Sequence, residues 1–135
     1  MSAFTNNEVG YLNEQRLGRL ATVDSNGNPH VVPVGFRYNS ETDTIDIGGH
    51  GIAQSKKWSD IGRHPRVAFV VDDVLPPWQP RSIEIIADAE RLESGGEEFG
   101  HSFDPQVIRL HPVKIIAWGI DLQRQSRTVK NRLFS

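Results

Sequence analysis

The sequence predicts a mainly β fold, a small antiparallel barrel of about six strands with a few short helices. Three observations predict it. Six segments carry strand signals, either apolar–polar alternation or β-branched runs, and most are joined by short turns. Only two segments carry helix-start signals. No internal repeat is present, and closing the sheet removes the edges that six strands would otherwise expose. A chain of 135 residues suits one domain spanning 1–135 with a single core.

The elements follow in order. Thr5 or Asn6 caps a first helix, with Val9, Tyr11 and Leu12 on its apolar side and an end near Gln15. "RLGRLATVD" reads as a strand, "SNGNP" as a turn, and "HVVPVGFRYN" as the returning strand. Pro33 inside that strand marks an edge, a bulge or a ligand-facing break. "SETD" turns into the strand "TIDIGG", completing a meander. The spacing predicts a helix from about Ala53 to Arg63, stopping before Pro65.

"RVAFVVDDV" is rich in β-branched residues, "LPPWQP" breaks the ladder, and "RSIEIIADAERLE" resumes alternation. "SGGEEFGHSFDPQ" reads as a polar loop, and "VIRLHPVKIIAWGID" as a last strand interrupted at Pro112. The tail carries Arg124, Arg127, Lys130 and Arg132, as a solvated helix face or a second basic wall for an anion.

Composition excludes several classes. A net charge of −2 leaves no electrostatic footprint for nucleic acid, although two or three local cations suffice for a small anion. No cysteine is present, which removes disulfides, thiolate zinc sites and cysteine nucleophiles, and fits a cytoplasmic location. The start "MSAFTNNEVGYLNEQ" lacks the pattern of a signal peptide, and no run of apolar residues is long enough to cross a membrane.

The five histidines, His30, His50, His64, His101 and His111, form no H-x-x-x-H or H-E-x-x-H pair, so no metal site is expected. His64 and His111 precede prolines and read as strand-end punctuation. No G-x-S-x-G elbow, Walker motif or dinucleotide fingerprint is present. Asp72 and Asp73 point to opposite faces of a strand, which suits capping better than shared acid–base work. Trp118 is expected to be buried, and Trp78, flanked by prolines, to anchor a loop at a pocket rim or subunit contact.

"GGHGIAQSKKW", residues 48 to 58, is the most informative stretch. Its glycines let backbone approach a ligand, and the helix that follows presents unsatisfied amides. Ser55, Lys56 and Lys57 add a hydroxyl and two cations in the first helical turn, where lysine opposes the helix dipole unless an anion is bound. The residues alone leave two readings open: an anion site, or a solvated helix start.

"QRLGRLATVDSNGNPHVVPVGFRYNSETDTIDIGG", "RHPRVAFVVDD" and "IRLHPVKIIAWGID" together resemble the flavin/deazaflavin oxidoreductase family, the pyridoxamine-phosphate-oxidase-like split barrels that bind FMN. The likeness spans residues 4 to about 122. It is strongest to the PPOX-class, F420-dependent branch that contains an oxytetracycline-pathway reductase. The resemblance implies a homodimeric six-stranded split β-barrel with cofactor sites at the subunit interface, and reduction of a small, polycyclic enone with F420H2.

Carried onto this chain, it assigns cofactor binding to Pro33, Gly35, Gly48, Gly49, His50, Ser55, Lys56 and Lys57, with Trp78 and Arg81 reaching in from the partner. Lys57 is the foremost phosphate contact. Two positions depart from the family pattern: Ser59, where relatives often carry arginine, and His50. No catalytic acid is implied. The alternatives are an FMN-dependent oxidoreductase on the same barrel, or a non-catalytic protein that binds F420 or flavin.

Overall fold

The computed structural model describes residues 2–100, 102–130 and 133. Helix α1 (Asn6–Glu14) opens with a capping box: Thr5 accepts from the Glu8 amide, and the Glu8 carboxylate accepts from the Thr5 amide. The strands are β1 (Leu17–Val23), β2 (Pro29–Asn39), β3 (Thr44–Ile47), β4 (Arg66–Leu75), β5 (Gln79–Leu92), β6 (Val107–Trp118) and β7 (Gln125–Thr128). Helix α2 (Lys56–Arg63) lies between β3 and β4.

The strands run in the order β3-β2-β1-β4-β5-β6-β7, all antiparallel, and β3 also pairs with β6. That pairing closes the predicted six-stranded barrel. Its interior is filled by Leu20, Ile45, Ile47, Phe69, Ile85 and Leu110, none more than 1% exposed. Alternation places these side chains inward and sends their neighbours to the outer face.

Four sequence expectations need correction. The described part of the tail contains a strand rather than a helix, and one of its cations, Arg127, is not free. Residues Gln125–Thr128 form β7 on the edge of β6, and Arg127 is bound to the fully buried Glu8. An unpaired carboxylate there would be costly, so a cation is drawn to it. The last strand is continuous through Pro112. A bulge skips Val113, pairing Ile86 with Lys114 and Ala87 with Pro112, so the proline's missing N–H is accommodated without breaking the strand.

His111 therefore sits within β6, where it contacts Glu90 at 2.9 Å, rather than at a strand end. Trp118 is 59% exposed, because it faces outward on β6 beside Ser82. His101 and Arg132 lie outside the described residues.

Candidate functional site

β2 and β3 separate directly after the Phe36–Ile47 pair. Among the described residues, the Pro29–Gly35 half of β2 therefore has β1 on one side and no strand on the other. Pro33, which cannot donate to a ladder, sits on this free edge without interrupting the strand. Beyond Ile47 the chain runs through Gly48, Gly49 and His50 into a 3₁₀ turn, Ile52–Gln54, and then α2. Gly51 has φ +65°, a conformation that favours glycine, and among the described residues nothing lies within 4 Å of where a Gly49 Cβ would stand. Gly48 is different: a Cβ there would come within 2.9 Å of the Phe99 ring.

The helix start differs from the expected Ala53. Ser55 is the N-cap, not a residue of the first turn. Its hydroxyl donates to the Ile52 carbonyl at 2.6 Å and accepts from the Trp58 amide. The hydroxyl is thus committed to the turn.

The two lysines have different surroundings. Lys56 is half exposed and lies 3.5 Å from Asp60 and 3.8 Å from Asp24. Asp60 is buried and accepts from Thr22, which ties α2 to β1. Lys57 is more sheltered, and burial holds its ammonium below the ordinary lysine pKa of 10.5. Among the described residues it has no acidic partner within ion-pair distance. A desolvated cation without a counter-ion, beside the first-turn amides of a helix, is suited to hold an anion.

Trp78 and Arg81 belong to the β4–β5 hairpin. Trp78 is 75% exposed near its tip. Arg81 makes a bidentate pair with Asp73 (3.0 and 2.6 Å), lies over the Tyr11 ring and comes within 3.6 Å of Glu14. It lines a cleft of about 280 Å³ beside α1. Burial and the Asp73 hydrogen bond both raise the Tyr11 pKa, so its hydroxyl stays a donor. Asp72 pairs with Arg19 at 2.6 Å, so the adjacent aspartates do face opposite ways but serve ion pairs rather than caps. Among the described residues of one chain, Trp78 and Arg81 share no hydrogen bond, ion pair or ring contact with the glycine-rich junction.

The loop after β5, expected to be plain polar coil, proves to brace the junction. Phe99 stacks on Phe103 (5.5 Å), and Phe103 lies 5.4 Å from His50. Asp104 donates its amide to the Gly49 carbonyl and accepts from the Gly51 amide at 2.6 Å. No local pattern in "FGHSFDP" signals this, because every partner lies on a distant segment.

The pyridoxamine 5′-phosphate oxidase family model matches residues 4–119. The chain belongs to that family. A Streptomyces rimosus relative described as a 5a,11a-dehydrotetracycline/5a,11a-dehydrooxytetracycline reductase is 42% identical over 120 residues, covering 87% of this chain and 84% of the relative. Family and relative together support oxidoreductase chemistry.

Among solved structures, a putative pyridoxamine 5′-phosphate oxidase from Lactobacillus delbrueckii superposes with a TM-score of 0.65 at 24% identity, covering 83% of this chain and 92% of that one. An FAD binding protein from Mycobacterium smegmatis gives a TM-score of 0.65 at 18% identity, covering 87% of this chain and 97% of that one. These two show the fold. No helix among the described residues is long and apolar enough to cross a membrane.

Proposed function

We propose that this family member is an F420H2-dependent reductase that transfers hydride to a conjugated carbon–carbon double bond of a small, polycyclic substrate, and that it works as a homodimer. The reaction class follows from the 42% identical reductase. The structural observation that carries the cofactor reading is Lys57, a sheltered cation with no carboxylate within ion-pair distance among the described residues.

The residues fit an anionic, flat-ringed cofactor. Lys57 and the first-turn amides of α2 would hold its phosphate. Gly49 leaves open space in which a ring can approach the backbone, and Pro33 and Gly35 flank the opening from the free edge of β2. Ser55 contributes by fixing the turn that aims Lys57, and Lys56 is held by Asp24 and Asp60. When bound, reduced F420 supplies the hydride, and the chain's role is to bind, align and exclude water.

The dimer reading rests on the outer face of the sheet. The register aligns Val31, Ala21, Ala68, Ile86 and Lys114 in one row, Pro33, Arg19, Val70, Glu84 and Ile116 in the next, and Leu17 with Asp72, Ser82 and Trp118 towards the hairpin end. Val31 is 64% exposed and Leu17 49%. The face mixes exposed apolar side chains with the charges of Arg19, Asp72, Glu84 and Lys114, a composition suited to a second copy that matches both. That copy would bring its own Trp78 and Arg81 towards the groove.

Separate titrations of the purified protein with F420 and FMN, read by fluorescence, test the cofactor. Tighter binding of F420, followed by turnover of conjugated enones with F420H2, is the expected outcome. Tighter binding of FMN refutes it, and F420 binding without turnover favours the non-catalytic alternative.

A further inference from the structure

The ring of His50 is the outer end of a built stack. Arg37 lies over the Phe99 ring with 5.4 Å from guanidinium to centroid, and its Nη2 donates to Glu98 at 2.8 Å. Phe99 rests against Gly48, where only a glycine leaves room, and stacks nearly parallel on Phe103 with 19° between planes. Phe103 in turn supports the His50 imidazole at 35°. Phe99 and Phe103 are partly covered, whereas His50 is exposed.

The backbone beneath His50 is pinned from both sides by one residue. Asp104 takes the Gly51 amide with its carboxylate and gives its own amide to the Gly49 carbonyl. The loop carrying Asp104 is closed on itself by a bond from the Gly96 amide to the Pro105 carbonyl. An exposed histidine contributes little to the core, yet both its peptide neighbours are hydrogen-bonded and one face of its ring rests against Phe103. Such preorganisation lowers the ordering cost of binding a ligand.

We infer that the outer face of His50, held by Phe103 and Asp104, is a stacking shelf for the flat conjugated rings of the substrate. His50, which the resemblance assigns to the cofactor, then becomes instead a specificity-determining residue for the substrate, distinct from the Lys57 contact that holds the cofactor. The substrate class rests on the proposed reductase function; the shelf itself rests on the stack and the clip. Ring centroids 4.5–7 Å apart are favourable for π-systems, and a fourth flat ring on His50 would continue the spacing already present.

Tetracycline serves as the four-ring probe and 2-cyclohexenone as a single-ring control, with binding read by tryptophan fluorescence without cofactor and F420 titrated separately. His50→Ala is expected to weaken tetracycline binding roughly five- to tenfold, in line with the loss of one ring contact. It should leave 2-cyclohexenone and F420 affinity within about twofold. His50→Phe should restore tetracycline binding, because it returns a flat face without the imidazole's hydrogen bonds. Asp104→Ala should weaken tetracycline, and Asp104→Asn, which can still accept from the Gly51 amide, should recover most of it.

Tetracycline binding unchanged in His50→Ala overturns the inference, as does no tetracycline binding by the wild type, or a loss confined to F420. Because tetracycline is measured without cofactor, failure of the F420 reading shows instead as Lys57→Ala leaving F420 titration unchanged, independently of this result.

Discussion

Replacing Lys57 tests the site most directly, because the structure predicts opposite effects on binding and on stability. Lys57 is partly desolvated and, among the described residues, has no carboxylate within ion-pair distance. A hydrogen bond to a charged group contributes about 1.5–3 kcal/mol net. At 1.4 kcal/mol per factor of ten, Lys57→Ala should weaken F420 binding by roughly 10- to 150-fold. Lys56→Ala removes a half-exposed cation already engaged by Asp24 and Asp60, and exposed pairs contribute about 0–1 kcal/mol. Its effect on F420 should stay below about fivefold.

The stability arm works through linkage. Burial lowers the Lys57 pKa in the folded state, so its charge opposes folding at neutral pH, and that penalty fades as pH rises from the folded value towards 10.5. Lys57→Met keeps the aliphatic stem and removes the charge. It should therefore raise the midpoint of thermal unfolding of the cofactor-free protein at pH 7 while weakening F420. Fluorescence titration and thermal melts of the same samples decide the matter. Equal losses for the Lys56 and Lys57 variants, or unchanged F420 titration in Lys57→Ala, would refute the assignment of the anion contact.

Three further outcomes follow from the fold. Burial alone would raise the Asp46 pKa, but hydrogen bonds from Arg109, Asn39 and Thr44 reverse it and hold the carboxyl below 3.8. Its stabilisation is present above pH 3.8 and lost as pH falls through the folded value, so Asp46→Asn should flatten the acid limb of a stability–pH curve measured in urea. Arg127→Ala leaves the buried Glu8 carboxylate without its cation and should cost about 3–5 kcal/mol in urea unfolding, with Glu8→Gln recovering part of the loss. Ile116→Glu places a second carboxylate beside Glu84 on the outer face and should halve the mass measured by sedimentation at micromolar concentration. A monomeric wild type would overturn the dimer.

Much of the fold was legible because its signals are local. Thr5 and Asn6 mark a helix start within two residues, of which the structure uses Thr5, and six runs of alternating or β-branched residues each declare a strand with an inward face. Pro112 misled because a proline looks like a break until a partner strand supplies a bulge. Trp118 misled because an apolar residue on an alternating strand can face inward or a second chain, and composition does not distinguish them. In the site, the glycines and lysines of the junction could be read from residues 48 to 58, whereas the brace of Phe99, Phe103 and Asp104 could not.

The sequence by itself determined that this chain folds as a barrel with an irregular, cation-bearing junction after its third strand, and to which family it belongs. Which cation is available, and which ring is braced, only the tertiary structure decided. Lys56 and Lys57 are neighbours of identical chemistry. What separates them is that Asp24 comes from the β1–β2 hairpin, Asp60 sits one turn further along α2, and burial covers the Lys57 side. Counter-ions and desolvation depend on what the chain brings from elsewhere, so adjacent lysines with one local pattern acquire different roles.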